Sequence, residues 1–277
     1  MVVRIPLVLA GLSILMSMIW RPGNLLTPKL QEDETIFAWP DGIDAAISFT
    51  FDDARPSQPD SGFAVLDSLR VQASFYTSIW SLTQRLDAWK FALARGHEIG
   101  NHTLTHPCSS NFDDSRKFTL EDISLDRMEY ELQEANRQLD SITGVKPTTF
   151  AYPCGQTFVG RSVDVKSYVP LVAEMFLAGR GWQDEGANNP AVCDLAQLMG
   201  YPMDNKSFGD LVPILDQTLQ DQGWLILAGH DMGTKGPLTT DLETLREVVH
   251  YLRSSGKTVW IGTVSEIAGY IKTQRDH

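Results

Sequence analysis

The amino-acid sequence predicts an α/β fold with a mainly parallel sheet, because two kinds of segment alternate along it. Short apolar runs rich in β-branched and aromatic residues alternate with longer runs in which apolar residues recur every three or four positions. Such alternation is typical of strands joined by helices, either as an open doubly wound sheet or as a barrel. In both architectures the functional side chains gather at the carboxyl ends of the strands.

The individual elements follow from the same pattern. Strands are predicted at 45–51, 73–80, 98–103, 148–152, 171–176, 225–228 and 258–261. Helices are predicted at 63–70, 82–95, 119–143, 208–222 and 242–255. Gly96, Gly144 and Gly256 follow three of these helical runs, where a capping residue of left-handed conformation is needed. No repeat or low-complexity tract divides this part of the sequence, so we predict one domain over residues 45–277.

The N-terminal residues 1–20 have the composition of a targeting segment. A single early positive charge, Arg4, precedes an uncharged apolar run that ends at Trp20. The run is slightly short for a bilayer span of about 20 residues and no small-residue cleavage site closes it, so a signal peptide and a membrane anchor both stay open. A buried N-terminal helix is the remaining alternative. Residues 21–44, with Pro, Gly and mixed charge, are predicted to be a linker, and we expect a secreted or membrane-anchored protein outside the cytoplasm.

The overall charge and the cysteines narrow the function classes. The 277-residue chain has a formal net charge of -12 and no basic stretch, which argues against nucleic acid as a main partner. Cys108, Cys154 and Cys193 are scattered and form no C-x-x-C pair. One bridge is an open alternative, but this set favours unpaired thiols in a chain of this size. Composition says nothing about the oligomeric state.

Polar residues of catalytic type follow several of the predicted strands. Asp52 and Asp53 end the first strand as two adjacent like charges, which need a positive neighbour. His102 and His106 follow the third strand, and His230 follows the strand at 225–228. Two imidazoles four residues apart and one carboxylate can hold a divalent cation and leave a position open for water. Zinc in such a site lowers the pKa of that water to about 7 and polarises a carbonyl.

We therefore predict a divalent metal site, with zinc as the first choice of ion. Its predicted ligands are Asp53, His102 and His106. The neighbouring Asp52 could accept the proton of the water as general base, and His230 could protonate a leaving group as general acid. Each feature also has a structural alternative: an aspartate pair in a turn or helix cap, a histidine pair without metal, and a histidine that only packs in a loop.

The motifs, in this order, resemble the NodB-homology polysaccharide deacetylases, carbohydrate esterase family 4. The stretch TFDD at 50–53 matches the first motif of the family, GHEIGNHTLTHP at 96–107 matches the second, and LILAGH ending at His230 matches the last. The resemblance covers residues 45–271 and implies a distorted (β/α) barrel of mainly parallel strands. It also implies the same catalytic and metal-binding roles for the five residues at the strand ends, in the removal of an acetyl group from an N-acetylated sugar.

Two motifs of the family are altered in this sequence. In FAYPCG at 150–155, Ala151 stands where the family has an arginine that orients the general base. Tyr152 is the nearest candidate for the tyrosine whose following backbone amide helps to hold the oxyanion. The fourth motif is replaced by FLAGRGWQDEG at 176–186, which supplies Arg180, Trp182 and Asp184.

These departures lead to two further hypotheses. Arg180 is predicted to orient Asp52 from a different strand, with Asp184 or Asp231 tuning the general acid; the alternative is that Arg180 is a surface charge. Trp80 and Trp182 are the candidates for stacking on sugar rings, although large aromatic side chains more often belong to a core.

The predicted function is that of a metal-dependent hydrolase that removes acetyl groups from N-acetylated amino sugars or acylated polysaccharide, such as chitin or peptidoglycan. One alternative keeps the mechanism but acts on a small amide. Another is a non-catalytic carbohydrate-binding protein on the same fold. The sequence leaves open the polymer, the choice between N- and O-acetyl groups, and the identity of the metal.

Overall fold

The computed structural model describes residues 37–112 and 118–276. The predicted signal or anchor at 1–20, and the predicted linker as far as residue 36, lie outside the described residues. From Phe37 onward the chain packs on the domain: the Trp39 ring stacks on Tyr270 at 6.3 Å, and its Nε1 donates a hydrogen bond to the Gln222 carbonyl at 2.8 Å. Across the described ranges, no helix is both long enough and apolar enough to cross a bilayer.

The strands are short, as expected for parallel strands in a helix-wrapped sheet. They are β1 (Ala45–Asp52), β2 (Ser74–Thr77), β3 (Glu98–Asn101), β4 (Thr149–Ala151), β5 (Phe158–Val159), β6 (Lys166–Ser167), β7 (Ala178–Arg180), β8 (Tyr201–Pro202), β9 (Trp224–Gly229), β10 (Asp231–Gly233), β11 (Thr239–Asp241) and β12 (Val259–Ile261).

Helices connect most of these strands. They are α1 (Phe63–Leu69), α2 (Ile79–Thr83), α3 (Leu86–Ala94), α4 (Leu125–Thr143), α5 (Val169–Met175), α6 (Phe208–Asp221), α7 (Leu242–Ser254) and α8 (Val264–Arg275). The longest, α4, begins at the Ser124 cap, whose side chain accepts the Arg127 amide, and ends at Gly144 with φ 76°.

The main sheet is entirely parallel and forms an incomplete barrel. Over the described residues its strand order is β7-β4-β3-β2-β1-β9-β8, and β12 pairs with the first half of β1. Leu198 forms a bridge to Arg180 of β7, just before Tyr201 begins β8. The segment 198–202 therefore contacts both ends of the sheet, which brings it close to closure. This architecture confirms the predicted α/β class and the distorted barrel.

The central strand is the one that carries the aspartate pair. All eight residues of β1 are buried, and the strand pairs with β9 along most of its length. The largest apolar cluster packs this part of the sheet against α1, α3, α6 and α7, and it includes Phe49, Phe75, Trp89, Leu215 and Val248. The carboxyl end of β1 is therefore held between β2 and β9 and packed by this cluster.

One predicted strand is wrong. Residues 171–176 were expected to form a strand, but α5 covers Val169–Met175 and the strand at this position is β7, two residues further on. Pro170 lies in the first turn of α5, where its fixed φ and missing N–H favour a helix start. A six-residue apolar run does not distinguish a buried helix from a strand by periodicity.

The preference for unpaired thiols is also wrong for two of the three cysteines. Cys108 and Cys154 form a disulfide with a Cα–Cα distance of 5.9 Å, and Cys193 is the free cysteine of the described part of the chain. The bridge joins the loop after β3 to the loop after β4. Because these residues are 46 positions apart, their proximity depends on strand order and could not be inferred from spacing.

Candidate active site

The chain leaves β1 through an unusual backbone conformation. Asp53 has φ 72° and Ala54 has φ 53°, so both residues adopt the left-handed region that non-glycine residues rarely occupy. His106 and Cys154, on two neighbouring loops, also have positive φ, at 52° and 56°. Backbone strain of this kind costs of order 1–3 kcal/mol per residue and concentrates at functional sites.

The three predicted metal ligands converge. His106 Nε2 lies 3.1 Å from His102 Nε2 and 3.4 Å from Asp53 Oδ1, and the distance from His102 Nε2 to Asp53 Oδ1 is 3.7 Å. Ligand atoms about 2.05 Å from a tetrahedral zinc ion are about 3.3 Å apart. The three atoms therefore have the spacing of a tetrahedral ligand set with one position left for another ligand.

The chemistry of these atoms also fits a cation. The Nδ1 of His102 lies 2.9 Å from the Ala151 carbonyl, which only accepts, so Nδ1 carries a proton and, in the neutral ring, Nε2 has the lone pair. That lone pair faces the Asp53 carboxylate and the Nε2 of His106. Electron-rich atoms at such short distances repel one another unless a positive charge lies between them. A divalent cation held by the three atoms would remove this repulsion.

Arg55, which the sequence reading missed, fixes the second oxygen of Asp53. Its Nε and Nη2 donate to Asp53 Oδ2 at 3.1 and 3.0 Å, while its Nη1 donates to Asp231 Oδ2 at 2.7 Å. Burial raises the pKa of Asp53, but the nearby imidazoles, when they are protonated, and Arg55 outweigh this effect and lower the pKa to about 2. Asp53 is therefore ionised and held with Oδ1 toward the two imidazoles.

Asp52 is bound by Arg180, as the sequence hypothesis proposed. Arg180 Nη2 donates to Asp52 Oδ1, and both side chains are almost completely buried. Burial alone would raise the pKa of Asp52, but the charge of Arg180, followed by those of His102 and His230, lowers it. The guanidinium also lies over the Tyr76 ring, 4.7 Å from its centroid. The alternative of a surface charge at Arg180 is therefore excluded.

Arg180 compensates for the arginine that the third motif lacks. Ala151 is the last residue of β4, and its partner in the parallel pairing with β7 is Arg180. The arginine of this chain thus stands one strand away from the position implied by the resemblance, at the same level of the sheet. From there its side chain reaches Asp52 of β1.

His230 is tuned by Asp204, and not by Asp184 or Asp231 as proposed. Asp204 Oδ2 accepts the Nδ1 proton of His230 at 2.6 Å. Burial lowers the pKa of His230, but the hydrogen bond to Asp204 and the charge of Asp52 reverse this effect, and the pKa is raised overall.

The two rejected candidates have other partners. Asp184 accepts the amide of Gly200 at 2.8 Å, and Asp231 pairs with Arg55. Asp204 follows the two-residue strand β8, which is too short to show a strand pattern in the sequence. No sequence signal therefore marked it as the end of a strand.

These groups surround one cavity of about 80 Å³. Its lining comprises Asp52, Asp53, Arg55, His102, His106, Phe112, Cys154, Trp182, His230 and Leu238. The structure thus brings together Asp52, Asp53, His102, His106 and His230. Trp182 contributes an apolar wall, with its ring 5.1 Å from that of His230.

Three predicted site residues do not line this cavity: Arg180, which contacts Asp52, and the two aromatic residues Trp80 and Tyr152. Trp80 lies on the surface with 76% of its area exposed. Tyr152 is buried, and its hydroxyl donates to the Ala196 carbonyl at 2.7 Å. The residue after Tyr152 is Pro153, which has no amide hydrogen, so the predicted oxyanion donor cannot be the amide following this tyrosine. Cys154, two residues after Tyr152, is the residue of this stretch that reaches the cavity.

Comparison with known proteins agrees with the motifs and the fold. Residues 40–168 match the sequence model of the family described as polysaccharide deacetylase. This part of the chain, just under half of its length, is therefore similar to the polysaccharide deacetylase family, as its motifs predicted. The matched region contains Asp52, Asp53, His102 and His106, and it ends before Arg180, Asp204 and His230.

Two curated relatives share sequence with the chain. A gellan lyase from a Bacillus species is 27% identical over 275 residues, which cover 90% of this chain and 10% of that protein. The uncharacterized protein YlxY from Bacillus subtilis is 32% identical over 91 residues, which cover 33% of this chain and 25% of that protein. The matched part is thus about a tenth of one relative and a quarter of the other.

Solved structures show the same fold at low sequence identity. A Mycobacterium smegmatis protein assigned to the polysaccharide deacetylases aligns with TM-score 0.60 and 17% identity, covering 86% of this chain and 94% of that one. The peptidoglycan deacetylase PdaC from Bacillus subtilis aligns with TM-score 0.54 and 18% identity, covering 85% of this chain and 95% of that one. The pseudoenzyme BA3943 from Bacillus anthracis, of carbohydrate esterase family 4, aligns with TM-score 0.53 and 17% identity, covering 82% of this chain and 66% of that one. The fold therefore occurs in active and inactive proteins.

Proposed function

We propose that this chain is a metal-dependent hydrolase that removes acetyl groups from N-acetylated amino sugars of a polysaccharide such as peptidoglycan or chitin. The observation that carries the proposal is the convergence of Asp53 Oδ1, His102 Nε2 and His106 Nε2 at 3.1–3.7 Å, in a cavity that Asp52 and His230 also line. A bound zinc ion would supply an activated water and polarise the acetyl carbonyl.

Asp52 is proposed to act as the general base. It is buried next to the ligand Asp53, and the charge of Arg180 keeps it ionised, so it can accept a proton from the attacking water. Arg180 donates to one of its oxygens, which restrains the orientation of the carboxylate. Arg180 is thus a positioning residue.

His230 is proposed to act as the general acid. Its Nδ1 proton is held by Asp204, so Nε2 is the nitrogen that can exchange a proton with the substrate. Because its pKa is raised, the ring retains both protons above the ordinary range of histidine and can protonate the departing amine nitrogen.

The backbone amide of Cys154 is proposed to stabilise the oxyanion that forms on the acetyl carbonyl. Cys154 lines the cavity, whereas the Tyr152 amide donates to the Arg180 carbonyl at 3.0 Å and Pro153 has no amide hydrogen. Its left-handed backbone at φ 56° turns the chain at this point. An amide donor placed where charge develops is the usual form of such stabilisation.

The cavity suits a small acyl group better than a whole sugar. Its volume of about 80 Å³ is closed on one side by Trp182 and Phe112, whose rings contact each other at 6.2 Å. The acetyl group would enter between the metal ligands and this apolar wall. The sugar ring would then remain at the mouth of the cavity, where longer chains can extend along the surface.

An extracytoplasmic location is part of the proposal. The apolar N-terminal residues 1–20 support export, and the disulfide between Cys108 and Cys154 supports an oxidising compartment. An enzyme outside the cytoplasm can reach a carbohydrate polymer, whereas the small amide of the alternative function would be a cytoplasmic substrate. The same reasoning favours cell-wall or extracellular polysaccharide as the target.

The test is acetate release from a panel of substrates by the purified chain. Oligomers of N-acetylglucosamine, peptidoglycan fragments and O-acetylated xylan are incubated with zinc-loaded protein, with chelator-treated protein, and with chelated protein to which zinc is restored. We expect zinc-dependent release from the N-acetylated substrates. Release from xylan alone would show an O-deacetylase. Binding to the oligomers without release under any metal would instead support a non-catalytic carbohydrate-binding protein.

A further inference from the structure

The disulfide lies directly against the predicted metal site. Cys108 Sγ is 3.7 Å from Nδ1 of His106, whose other ring nitrogen, Nε2, faces Asp53 and His102. Cys154, the other half of the bridge, lines the active-site cavity. A single imidazole therefore has a metal-ligand set on one side and two sulfur atoms on the other.

The atoms on the sulfur side also lie close enough to share an ion. One ligand atom from each of His106, Cys108 and Cys154 falls within 4.8 Å of the others. While the disulfide is intact, the sulfurs cannot act as thiolate ligands. Two-electron reduction, by a thiol or a phosphine, breaks the S–S bond and gives two thiols, and a metal ion then displaces their protons to solvent.

We propose that reduction of the Cys108–Cys154 bridge creates a second metal site, formed by the two thiolates and Nδ1 of His106. Two sulfur ligands and one nitrogen ligand suit a soft or borderline ion such as zinc, cadmium or cobalt. The sulfur atoms would need to separate from about 2.05 Å in a disulfide to about 3.75 Å around a tetrahedral ion, a displacement within reach of side-chain rotation.

The two sites exclude each other at His106. Coordination through Nδ1 leaves the ring proton on Nε2, which then has no lone pair for the ion held by Asp53 and His102. Reduction in the presence of metal therefore removes one of the three predicted catalytic ligands. Cys154 lines the cavity and is partly exposed, whereas Cys108 is buried, so reductant and metal ion would approach the bridge from the Cys154 side. This inference concerns the metal chemistry of the site and does not depend on which substrate is cleaved.

Cobalt(II) absorption tests the inference directly. The full chain carrying Cys193→Ser, which removes the third thiol, is reduced with a water-soluble phosphine, freed of reductant and titrated with cobalt(II) chloride. We expect a thiolate-to-cobalt charge-transfer band in the near ultraviolet that saturates at one ion per chain. The unreduced protein, and the matched variant that also carries Cys108→Ser and Cys154→Ser, should show no such band.

A second variant covers the case in which the fully reduced protein is unstable. The chain with Cys108→Ser and Cys193→Ser never forms the bridge, retains one thiol beside His106, and should give about half of the band intensity. Absence of the band in both the reduced protein and this variant contradicts the proposal, as does an equal band in the variant without cysteines. Loss of acetate release on reduction with zinc, restored by reoxidation, would support it. If the oxidised protein releases no acetate, the proposed function fails, and the cobalt titration alone then decides whether the second metal site forms.

Discussion

Arg180 at the end of β7 forms a buried ion pair with Asp52 at the end of β1, and it does so from the position paired with Ala151 of β4. The charge that the third motif lacks is thus supplied from the adjacent strand. This pair links the fold to the proposed chemistry, because the register between β7 and β4 determines whether Arg180 reaches the proposed general base.

Replacing Arg180 by alanine should lower turnover about 100-fold or more and destabilise the fold by about 3–5 kcal/mol, because it leaves the buried Asp52 carboxylate without its partner. Moving the arginine by combining Ala151→Arg with Arg180→Ala should recover part of both losses. Turnover and urea unfolding measure the two effects. Full turnover in Arg180→Ala would disprove the positioning role.

Asp204→Asn should shift the alkaline limb of the pH–rate profile to lower pH. The raised pKa of His230 keeps its proton available as pH increases, and activity is lost as pH rises through that pKa. Without Asp204, burial is opposed only by the charges of Asp52 and Asp53, so the proton is lost at lower pH than in the wild type. Asp184→Asn is the matched control, since Asp184 contacts the Gly200 amide instead, and its profile should match the wild type. Equal shifts in both variants would contradict this assignment.

Arg55→Met should weaken zinc binding about 10–100-fold, the usual effect of removing a group that orients a metal ligand. Arg55 holds Oδ2 of Asp53, and its loss lets the carboxylate rotate away from the imidazoles. Ser57→Ala is the control, because the Ser57 hydroxyl donates to Asp231 at 2.6 Å and accepts the Met232 amide at 3.0 Å, and so does not hold Asp53. Competition with a chromophoric chelator measures both affinities. An unchanged affinity in Arg55→Met would show that Asp53 does not need this support.

Removing the disulfide with Cys108→Ala and Cys154→Ala should lower the free energy of unfolding by about 4 kcal/mol, the loop-entropy value for a 46-residue separation. Urea denaturation of the oxidised wild type and the double variant measures the difference. Cys193→Ala, at the free cysteine of the described ranges, is the control and should change stability far less. A difference near zero would show that the two loops are held together without the bridge.

The sequence was most informative where a strand end coincided with a residue of unusual chemistry. Asp52, Asp53, His102, His106 and His230 could all be found because each follows an apolar run long enough to be recognised as a strand. The periodicity also sufficed for the α/β class and for most of the element positions.

Residues that depend on three-dimensional neighbours could not be found in this way. Asp204 follows a two-residue strand, which is too short to recognise in the sequence. Arg55 follows two residues of left-handed backbone, Asp53 and Ala54, and no sequence pattern predicts this turn. The pairing of Cys108 with Cys154 requires that β3 and β4 be adjacent. Arg180 was proposed from the sequence. Its pairing with Ala151 could not be predicted, because the strand that carries Arg180 is β7, whereas the sequence pattern indicates a strand at 171–176, where α5 lies.

The central claim is that Asp53, His102 and His106 bind one divalent ion, and calorimetric titration of the metal-free chain with zinc tests it most directly. We predict one ion per chain for the wild type, a loss of affinity of more than about 100-fold for Asp53→Ala, and retained binding without turnover for Asp52→Asn. One ion bound by Asp53→Ala with wild-type affinity would contradict the account.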